Sequence, residues 1–459
     1  MILVELYARA ILAAIFLGFI PLPVQAQSAP AQSADDKIQK LEQRLDELDQ
    51  RLKVAERLKE IKTEEDADKA KTTASVTANG GPFTIRSGDG NFVLRLGADF
   101  QIDNRTFNGL SSPPLTDQIL IRRARPTISG TVYKYVDFYV RPDFGQGQVV
   151  LYEAYTQLNY FSRFNLRVGK FKPPVGLERL QSDDDTNFIE RGLPTLLVPS
   201  RDIGYQLSGD IIKSRVNYAV GVFNGVPDNS LSDASVSNHR DYSARIFLTP
   251  FVPETQSPLS GLGVGIGASS GSVDGLTLPA YKTLGQNTFF TFASGVTSAG
   301  HRIRLAPQGY YYLGPFGVLT EYTLAEEGFQ RGSVRRDITL RSWQVQASYL
   351  LTGEKKVFGT LVPRKAFDPH NHGWGAFELA VRVGDFSIER GIYDYGFASP
   401  TVSPRRAHEW VGGLSWYLNR MVRITLDYGN TNFGGGATAA NGGDRPSERV
   451  LLNRFQVNF

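Results

Sequence analysis

Arginine recurs on one parity of a series of strand-like segments in this chain. In each segment apolar and polar residues alternate, and the arginines fall on the polar side. Successive side chains of a strand point to opposite faces, so these arginines would share one surface. Arginine is permanently charged and offers several N–H donors, so a column of arginines could pass an anion from site to site. The arginines expected on this surface are Arg95, Arg123, Arg125, Arg141, Arg167, Arg302, Arg304 and Arg382.

Carboxylates fall on the same parity and leave a second interpretation of these arginines open. Asp99, Asp143, Glu153, Glu321 and Glu378 are among the acidic residues on the polar side. If the arginines form ion pairs with these carboxylates, they would stabilise the barrel wall and would not bind passing solutes. The two roles are compatible, because a lining of mixed charge supports a transverse field as well as a track.

The alternation itself indicates a membrane protein. In residues 91–103, Phe92, Leu96 and Phe100 share one parity, and Arg95 lies on the other. A soluble sandwich would bury its apolar faces in a core, but nearly every segment here also carries charge on its polar face. Charge inside a closed sheet requires water there, so the pattern favours a barrel with lipid outside.

The same rule assigns the faces of the other segments. In residues 152–160 it places Tyr152, Ala154 and Leu158 towards lipid and Glu153 towards the lumen. Side chains alternate between the two faces of a strand. A shift of one residue in this assignment would therefore place a lipid-facing side chain in the lumen.

Sixteen such segments can be counted if residues 374–393 form one strand. A turn at Gly384 would give 17, but bacterial barrels have an even number of strands. The last segment, 448–459, alternates up to Phe459, as a closing strand would. The expected fold is all-β: a 16-stranded antiparallel transmembrane β-barrel, in contact with outer-membrane lipid and recognised by the barrel-assembly machinery through Phe459.

The connections between the segments differ in length. Short links, such as 133–135 and 419–420, are predicted to be periplasmic turns. Long links are predicted to be extracellular loops, and they are 173–200, 225–238, 272–300 and 391–406. The segment 352–373 falls on the periplasmic side by parity although it is long, and the sequence offers no reason for its length.

The N-terminal region carries different signals. Residues 1–26 are typical of a secretory signal peptide, with an apolar run too short to span a bilayer. In the segment 27–62, apolar residues recur at spacings of 3 and 4 from 36 to 62, which predicts a short coiled-coil helix in the periplasm. An amphipathic helix lying on a protein surface is the alternative. A linker at 63–82 and a barrel at 83–459 complete the expected organisation.

Signals of catalysis are weak. Residues 267–271 fit the pattern G-x-S-x-G, but they end a glycine-rich strand and no helix follows. His370 and His372 have metal-like spacing, yet a solvated loop explains them better. The chain has no cysteine. We expect no enzyme, no cofactor and no nucleic-acid partner; an outer-membrane hydrolase of barrel form is the alternative, and it would need a Ser, His and acid constellation that is not visible.

Several runs together resemble one family, the phosphate-selective porins O and P. The runs are LIRRAR at 120–125, TVYK at 131–134, VGKFKPPVGLE at 168–178, IER at 189–191, YLGPFG at 312–317, LTGE at 351–354, GWGAFELAVR at 373–382 and SWYLN at 415–419. The resemblance covers the chain from about Phe83 onwards. It implies a homotrimer of 16-stranded barrels, a loop folded into each lumen, and inward arginines that pass anions.

The loop between the fifth and sixth strands departs from that family. Where the resemblance implies a lysine at the narrowest point, this chain has Asp183, Asp184 and Asp185. Three carboxylates in a constriction would repel phosphate; alternatively, this acidic triplet is a solvated loop tip or caps a short helix near Thr186. The residues expected at the constriction are Lys170, Lys172, Arg179, Asp183, Asp184, Asp185, Glu190 and Arg191.

The sequence therefore predicts an outer-membrane porin. We expect a trimeric, water-filled channel for passive diffusion of small hydrophilic solutes, with a modest preference for anions. A barrel that mainly tethers the cell wall through its coiled coil is a further alternative.

Overall fold

The computed structural model describes residues 34–78, 81–109, 115–212, 214–229, 233, 238–252, 257–436 and 444–459. The predicted signal peptide, 1–26, lies outside the described residues. The chain divides into two compact units, Met1–Lys69 and Ala70–Phe459. Within the described ranges, no helix is both long enough and apolar enough to cross a bilayer.

The N-terminal helix α1 spans Ala34–Thr72. Its heptad residues are solvent-exposed; Leu45, for example, is 70% exposed. The prediction that a linker begins at residue 63 is wrong, because the helix continues for ten residues beyond Lys62. The apolar repeat ends there, but residues 63–72 contain neither glycine nor proline, so nothing stops the helix. Part of the predicted linker also forms a short strand.

In the ranges that the structure describes, twenty strands follow the helix. In chain order they are β1 (Ser75–Thr77), β2 (Phe83–Arg86), β3 (Val93–Phe107), β4 (Gln118–Val132), β5 (Val136–Asp143), β6 (Val150–Phe161), β7 (Phe164–Phe171), β8 (Asp202–Ile211), β9 (Val216–Phe223), β10 (Asp241–Leu248), β11 (Leu262–Asp274), β12 (Tyr281–Lys282), β13 (Thr288–Phe290), β14 (Thr297–Leu313), β15 (Phe316–Arg331), β16 (Val334–Leu350), β17 (Ala376–Ile388), β18 (Arg406–Tyr417), β19 (Val422–Gly434) and β20 (Glu448–Asn458).

Sixteen of these strands form a closed antiparallel barrel, as predicted. Each of them pairs with its neighbours in the chain, and β20 pairs with β3 to close the ring, with Arg454 opposite Asp103. Strands β1 and β2 are additions beside the first part of β3. Strand β17 is continuous through Gly384, so the turn that would have given 17 strands is not present there.

The two faces of the wall alternate as predicted along most strands. On β3, Leu96 and Phe100 are exposed on the outside, whereas Asp99 and Gln101 are fully buried on the inside. Because backbone pairing in the closed ring satisfies the strands, the outer face can be apolar throughout.

Of the register shifts in the described wall, two β-bulges change which side chains of β4 and β6 enter the lumen. On β4, Gln101 pairs with Arg123 and Ile102 with Ile121, so Arg122 is an extra residue. On β6, Tyr152 is the extra residue opposite β5. The prediction that Tyr152 faces lipid is wrong: its side chain lies in the lumen and is 7% exposed. A bulge adds one residue to a strand and so reverses the direction of the side chain there.

Most of the short turns lie at one end of the barrel and most of the long loops at the other; the two-residue link between β15 and β16 is an exception at the long-loop end. The three-residue link at 133–135 has positive φ at Tyr133 and Lys134, a conformation that tight hairpin turns use. The long segment 351–375 belongs to the short-turn end, and the structure explains its length. It enters the barrel, where Leu361 packs against Leu350 and Tyr417.

Candidate constriction and vestibule in the barrel lumen

Residues 172–201, the constriction loop, connect β7 to β8 and fold into the lumen. Most of the loop is buried, and it contains the short helix α2 (Leu177–Leu180) and a 3-10 helix at Leu193–Leu197. The wall fixes the loop through its backbone. Asp427 of β19 accepts a hydrogen bond from the Ile189 amide at 2.6 Å, and Arg454 of β20 donates to the Ile189 carbonyl at 2.7 Å.

The opposite wall holds the beginning of the loop. The carboxylate of Glu321 on β15 accepts hydrogen bonds from the amides of Leu177 and Glu178, at 2.8 and 3.3 Å. The Glu178 carboxylate accepts in turn from Gln344 and Gln346 of β16, each at 2.9 Å. The loop therefore crosses the lumen and is anchored on both sides.

Asp183 is the centre of a buried cluster of arginines. Its carboxylate forms ion pairs with Arg125 and Arg191, and lies 3.7 Å from Arg123 and 3.9 Å from Arg201. Burial by itself would raise the pKa of Asp183, but the four guanidinium groups hold it well below its ordinary value. Asp183 is thus neither a solvated tip nor an isolated negative charge in a pore.

The rest of the acidic triplet lies away from this cluster. Asp184 accepts a hydrogen bond from Gln101 of β3 at 3.4 Å. Asp185 is half-buried near Lys356 of the 351–375 segment, where both line a small polar cavity. The helix suggested near Thr186 is not found, since residues 182–190 form turns and bends.

An aromatic ring joins two arginines of the cluster. The guanidinium carbon of Arg125 lies 3.6 Å from the centroid of the Tyr152 ring, and that of Arg201 lies 3.8 Å from it. The Tyr152 hydroxyl donates to Asp183 at 3.4 Å. Both cations are also paired with wall carboxylates, Arg125 with Asp143 and Arg201 with Glu153.

Two further cations of the loop have no carboxylate partner in the part of the chain that the structure describes. Arg179 donates to the carbonyl of Thr195 at 2.6 Å and to the side chain of Asn229. Lys172 donates to the carbonyl of Gln181 at 2.7 Å. Burial, with the nearby charges of Arg201 and Arg191, lowers the pKa of Lys172 well below its usual value.

The cluster around Asp183 therefore carries an excess of positive charge. We define it by the groups just described, which are the cations Lys172, Arg123, Arg125, Arg179, Arg191 and Arg201 and the carboxylates Asp143, Glu153 and Asp183. The five guanidinium groups against three carboxylates leave a formal charge of +2, and Lys172, whose pKa is lowered, adds a third charge only when it is protonated. We call this group the arginine cluster.

Glu190 organises a neighbouring part of the loop. It accepts a hydrogen bond from Nε of Arg122 at 2.7 Å, and Arg105 and Arg454 lie 3.5 and 3.7 Å away. Although burial would raise the pKa of Glu190, the charge and hydrogen bonds of Arg122 hold it well below the ordinary value.

A cavity of about 730 Å³ opens above the arginine cluster on the side of the long loops, and we call it the vestibule. Strand β4, the constriction loop and the connection between β11 and β14 contribute to its lining. Its charged residues are Arg122, Arg123, Arg125, Arg179, Arg191, Lys282, Asp143, Glu190, Asp228 and Glu409. Six are basic and four acidic, so the lining is also net positive.

The arginines selected from the sequence separate into three groups. Arg123 and Arg125 belong to the arginine cluster. Arg302, Arg304 and Arg382 are fully buried and pair with Asp241, Asp228 and Glu409, at 2.7, 2.6 and 2.9 Å. These three brace the wall and its loops, and they are not among the residues that line the vestibule.

The third group lies nearer the short turns. Arg95, Arg141 and Arg167 are partly exposed, and Arg167 lies 4.4 Å from the ring of Tyr155. Lys170, at the end of β7, is buried and pairs with Asp233.

Sequence reasoning missed Arg122, Arg201, Tyr152 and Lys356. Arg122 and Tyr152 enter the lumen only because of bulges, which leave no signal in an alternating pattern. The Lys356 ammonium donates a hydrogen bond to the Asn187 side chain of the constriction loop at 2.7 Å and forms an ion pair with Glu378 of β17. The family run that contains residues 351–354 ends just before Lys356, so the run alone did not identify it. Ser269, from the serine motif, accepts a hydrogen bond from Arg304 at 3.0 Å.

A closed barrel of sixteen strands with an apolar exterior and a charged, loop-filled interior defines an outer-membrane porin. Comparison with known proteins specifies the family. The chain belongs to the phosphate-selective porins O and P, whose family model matches residues 94–459. It therefore forms a water-filled channel in the outer membrane for passive diffusion of small hydrophilic solutes.

Individual known proteins are similar to this chain in sequence or in fold. Porin O of Pseudomonas aeruginosa is 24% identical over 380 residues, which cover 76% of this chain and 85% of that protein. Among solved structures, the outer membrane channel DcaP of Acinetobacter baumannii has a TM-score of 0.53 at 10% identity, covering 84% of this chain and all of that one. A loop-deletion mutant of OmpT, an outer membrane protein of Vibrio cholerae, has a TM-score of 0.51 at 10% identity, covering 80% and 100%.

Proposed function

We propose that this porin favours small anions and selects them at the arginine cluster. The observation that carries the proposal is the excess of positive charge in the arginine cluster, where five guanidinium groups lie beside three carboxylates. An anion there would be stabilised, whereas a cation would meet uncompensated like charge in a confined space. The family description and the name of Porin O accord with an anionic solute.

Arg179, which lines the vestibule, is the residue that we propose contacts the passing anion; Lys172 belongs to the same cluster. The hydrogen-bond acceptors of Arg179 in the protein are neutral, so a passing anion would supply the missing countercharge. Asp183 does not oppose this role, because its charge is offset by the arginines around it. The departure from the family's lysine therefore does not by itself remove anion selectivity.

Reversal potentials across a potassium chloride gradient test the proposal. Replacing Lys172 and Arg179 together by Gln should shift the reversal potential towards cations, most strongly at low salt, where screening is weakest. Arg336→Gln is the matched control, since Arg336 is exposed at the long-loop end. A parent channel that prefers potassium, or a double variant that behaves like the parent, would refute anion selection at the cluster.

We further propose that helix α1 forms a parallel coiled coil in the periplasm and that the porin is a homotrimer. The core positions hold residues 38, 45 and 52 and residues 41, 48 and 55. In a parallel pair, the flanking positions would match Lys37 with Glu42, Arg44 with Asp49, and Arg51 with Glu56, each of opposite charge. The number of chains rests on the family resemblance, because these core residues do not decide it.

Charge reversal in the flanking positions tests the coiled coil. Arg44→Glu with Arg51→Glu should weaken chemical crosslinking between the helices, and adding Asp49→Lys with Glu56→Lys should restore it. Lys40→Glu with Lys53→Glu is the control, because these positions face away from the predicted core. Export of the mature chain and insertion through Phe459 belong to the same proposal; the protein should run as a heat-modifiable species from outer membranes.

A further inference from the structure

The lining of the vestibule consists of two chemically different parts. One part is the basic surface of Arg122, Arg123, Arg125 and the loop arginines. The other part is apolar and includes Leu196, Leu278, Pro279 and Pro227, all of them partly exposed to the cavity. Partly exposed leucines in a water-filled passage lose the stabilisation that burial gives, so their position calls for a function.

Hydrogen bonds connect the apolar part of the lining to Arg179, which has no carboxylate partner among the described residues. The guanidinium donates to the carbonyl of Thr195, the residue before Leu196, at 2.6 Å. Asn229 accepts a hydrogen bond from Arg179 and donates to the carbonyl of Leu196 at 3.1 Å. A charged donor and an apolar side chain are therefore held next to each other by the same few bonds.

The apolar part is also preformed. Leu196 and Leu278 pack against a buried cluster that contains Leu193, Leu197 and several phenylalanines, among them Phe329 and Phe386. The members of this cluster are buried, so they hold one side of Leu196 and Leu278 in place. The other side of each leucine faces the cavity. Preformed apolar pockets with a few placed polar groups are typical of sites for organic ligands.

We propose that the vestibule recognises carboxylates that carry an apolar body, such as aromatic monocarboxylates, in preference to small hydrophilic anions. Arg179 binds the carboxylate, and Leu196 and Leu278 contact the apolar body. This inference rests on the proposed anion preference and specifies its solute. Inorganic phosphate would use only the basic part of the lining, and its hydration shell would lie against the leucines. An aromatic carboxylate satisfies both parts at once.

Bi-ionic reversal potentials with potassium benzoate and potassium acetate test the inference in the full-length porin. Acetate is smaller than benzoate, so a pore that selects by size alone would favour acetate. We expect the benzoate-to-acetate permeability ratio of the parent to be higher than size alone would give. Leu196→Asn and Leu278→Asn should each lower the benzoate to acetate ratio by about three- to tenfold, through the loss of apolar contact. Leu278→Met should retain most of the ratio. Val402→Asn, which replaces an exposed loop residue outside the vestibule, should leave the ratio unchanged.

The outcomes separate this inference from the proposal on which it rests. If the parent prefers anions to potassium but the leucine variants keep the parental ratio, the apolar site is refuted and anion selection stands. If the parent prefers potassium, both are refuted. Arg179→Gln should lower the permeability of both carboxylates against potassium, while the leucine variants change mainly the ratio. Heat-modifiable mobility identifies any variant that has failed to fold; Leu278→Met then tests the same position with the apolar volume retained.

Discussion

The guanidinium of Arg125 lies over the ring of Tyr152, 3.6 Å from its centroid, and Arg201 contacts the same ring at 3.8 Å. One aromatic side chain thus holds two cations that would otherwise repel each other. Its negative π-faces and the carboxylate of Asp183 together offset that repulsion. The position of Tyr152, which depends on the bulge in β6, is therefore central to the arginine cluster.

Replacing Tyr152 by Leu should lower the free energy of unfolding by about 1–2 kcal/mol, because two partly desolvated cation–π contacts are lost. Tyr152→Phe keeps the ring and should cost less. Tyr160→Leu is the control, since Tyr160 is exposed and stacks on Tyr135 outside the cluster. Urea unfolding in lipid vesicles measures the difference. Equal losses at Tyr152 and Tyr160 would show that the stacked arginines contribute nothing to stability.

Replacing Asp183 by Asn should be more damaging, at about 3–5 kcal/mol, because it leaves several buried guanidinium groups without their shared carboxylate. In folded channels the same change should shift reversal potentials towards anions, most clearly at about 0.01 M salt, where the Debye length is about 30 Å. Asp185→Asn is the matched control, as Asp185 forms no ion pair within the described ranges. An Asp183 variant as stable as the Asp185 variant would contradict the central role of this carboxylate.

The low pKa of Asp183 determines how stability should change in acid. A carboxyl group with a depressed pKa in the folded state stabilises the fold above its unfolded value of about 3.9, and this stabilisation is lost as pH falls towards the folded value. The stability difference between the parent and Asp183→Asn should therefore be constant from about pH 7 to pH 5 and shrink below about pH 4. Unfolding midpoints at a series of pH values measure it. A difference that shrinks already between pH 7 and pH 5 would mean that Asp183 is not held by the arginines.

The faces of the wall predict opposite effects of one substitution. Arg at Val140, on the lipid side, should cost about 2–4 kcal/mol near the midplane, whereas Arg at Asn159 should be tolerated, because water and Asp137 are available there. Leu166 is close to the short turn after β6, so Arg there should cost less than at Val140. Refolded fractions on gels compare the variants. If Asn159→Arg refolds as poorly as Val140→Arg, the assignment of faces is wrong for these strands.

The regular part of this structure could be predicted from the sequence, because it depends on a period of two. The sixteen strands, the closing strand near residues 448–459 and the inward position of Arg123 and Arg125 all follow from it. Tyr152 and Arg122 could not be placed, since each lies in a bulge where one inserted residue reverses the rule. The end of helix α1 was also predicted wrongly. The apolar repeat ends near residue 62, but the helix continues because residues 63–72 contain no glycine or proline to end it.

The roles of individual arginines were also beyond the sequence. Parity gives Arg302 and Arg125 the same face, but only the fold brings Asp241 to Arg302 and leaves Arg125 beside the vestibule. Partners that are 58–61 residues apart along the chain, such as Arg125 with Asp183 and Arg302 with Asp241, depend on how loops return to the wall. Local sequence periodicity carries no information about such contacts between distant residues.

The seam of the barrel also has a second function. Arg454 on β20 pairs with Asp103 on β3 and donates a hydrogen bond to the Ile189 carbonyl of the constriction loop. The same side chain therefore contributes to the closing strand pair and to the position of the loop. Arg454 is one of several anchors of the loop, because Glu321 on the opposite wall holds its beginning. A change at Arg454 would therefore disturb the closing strand pair and one side of the constriction loop together.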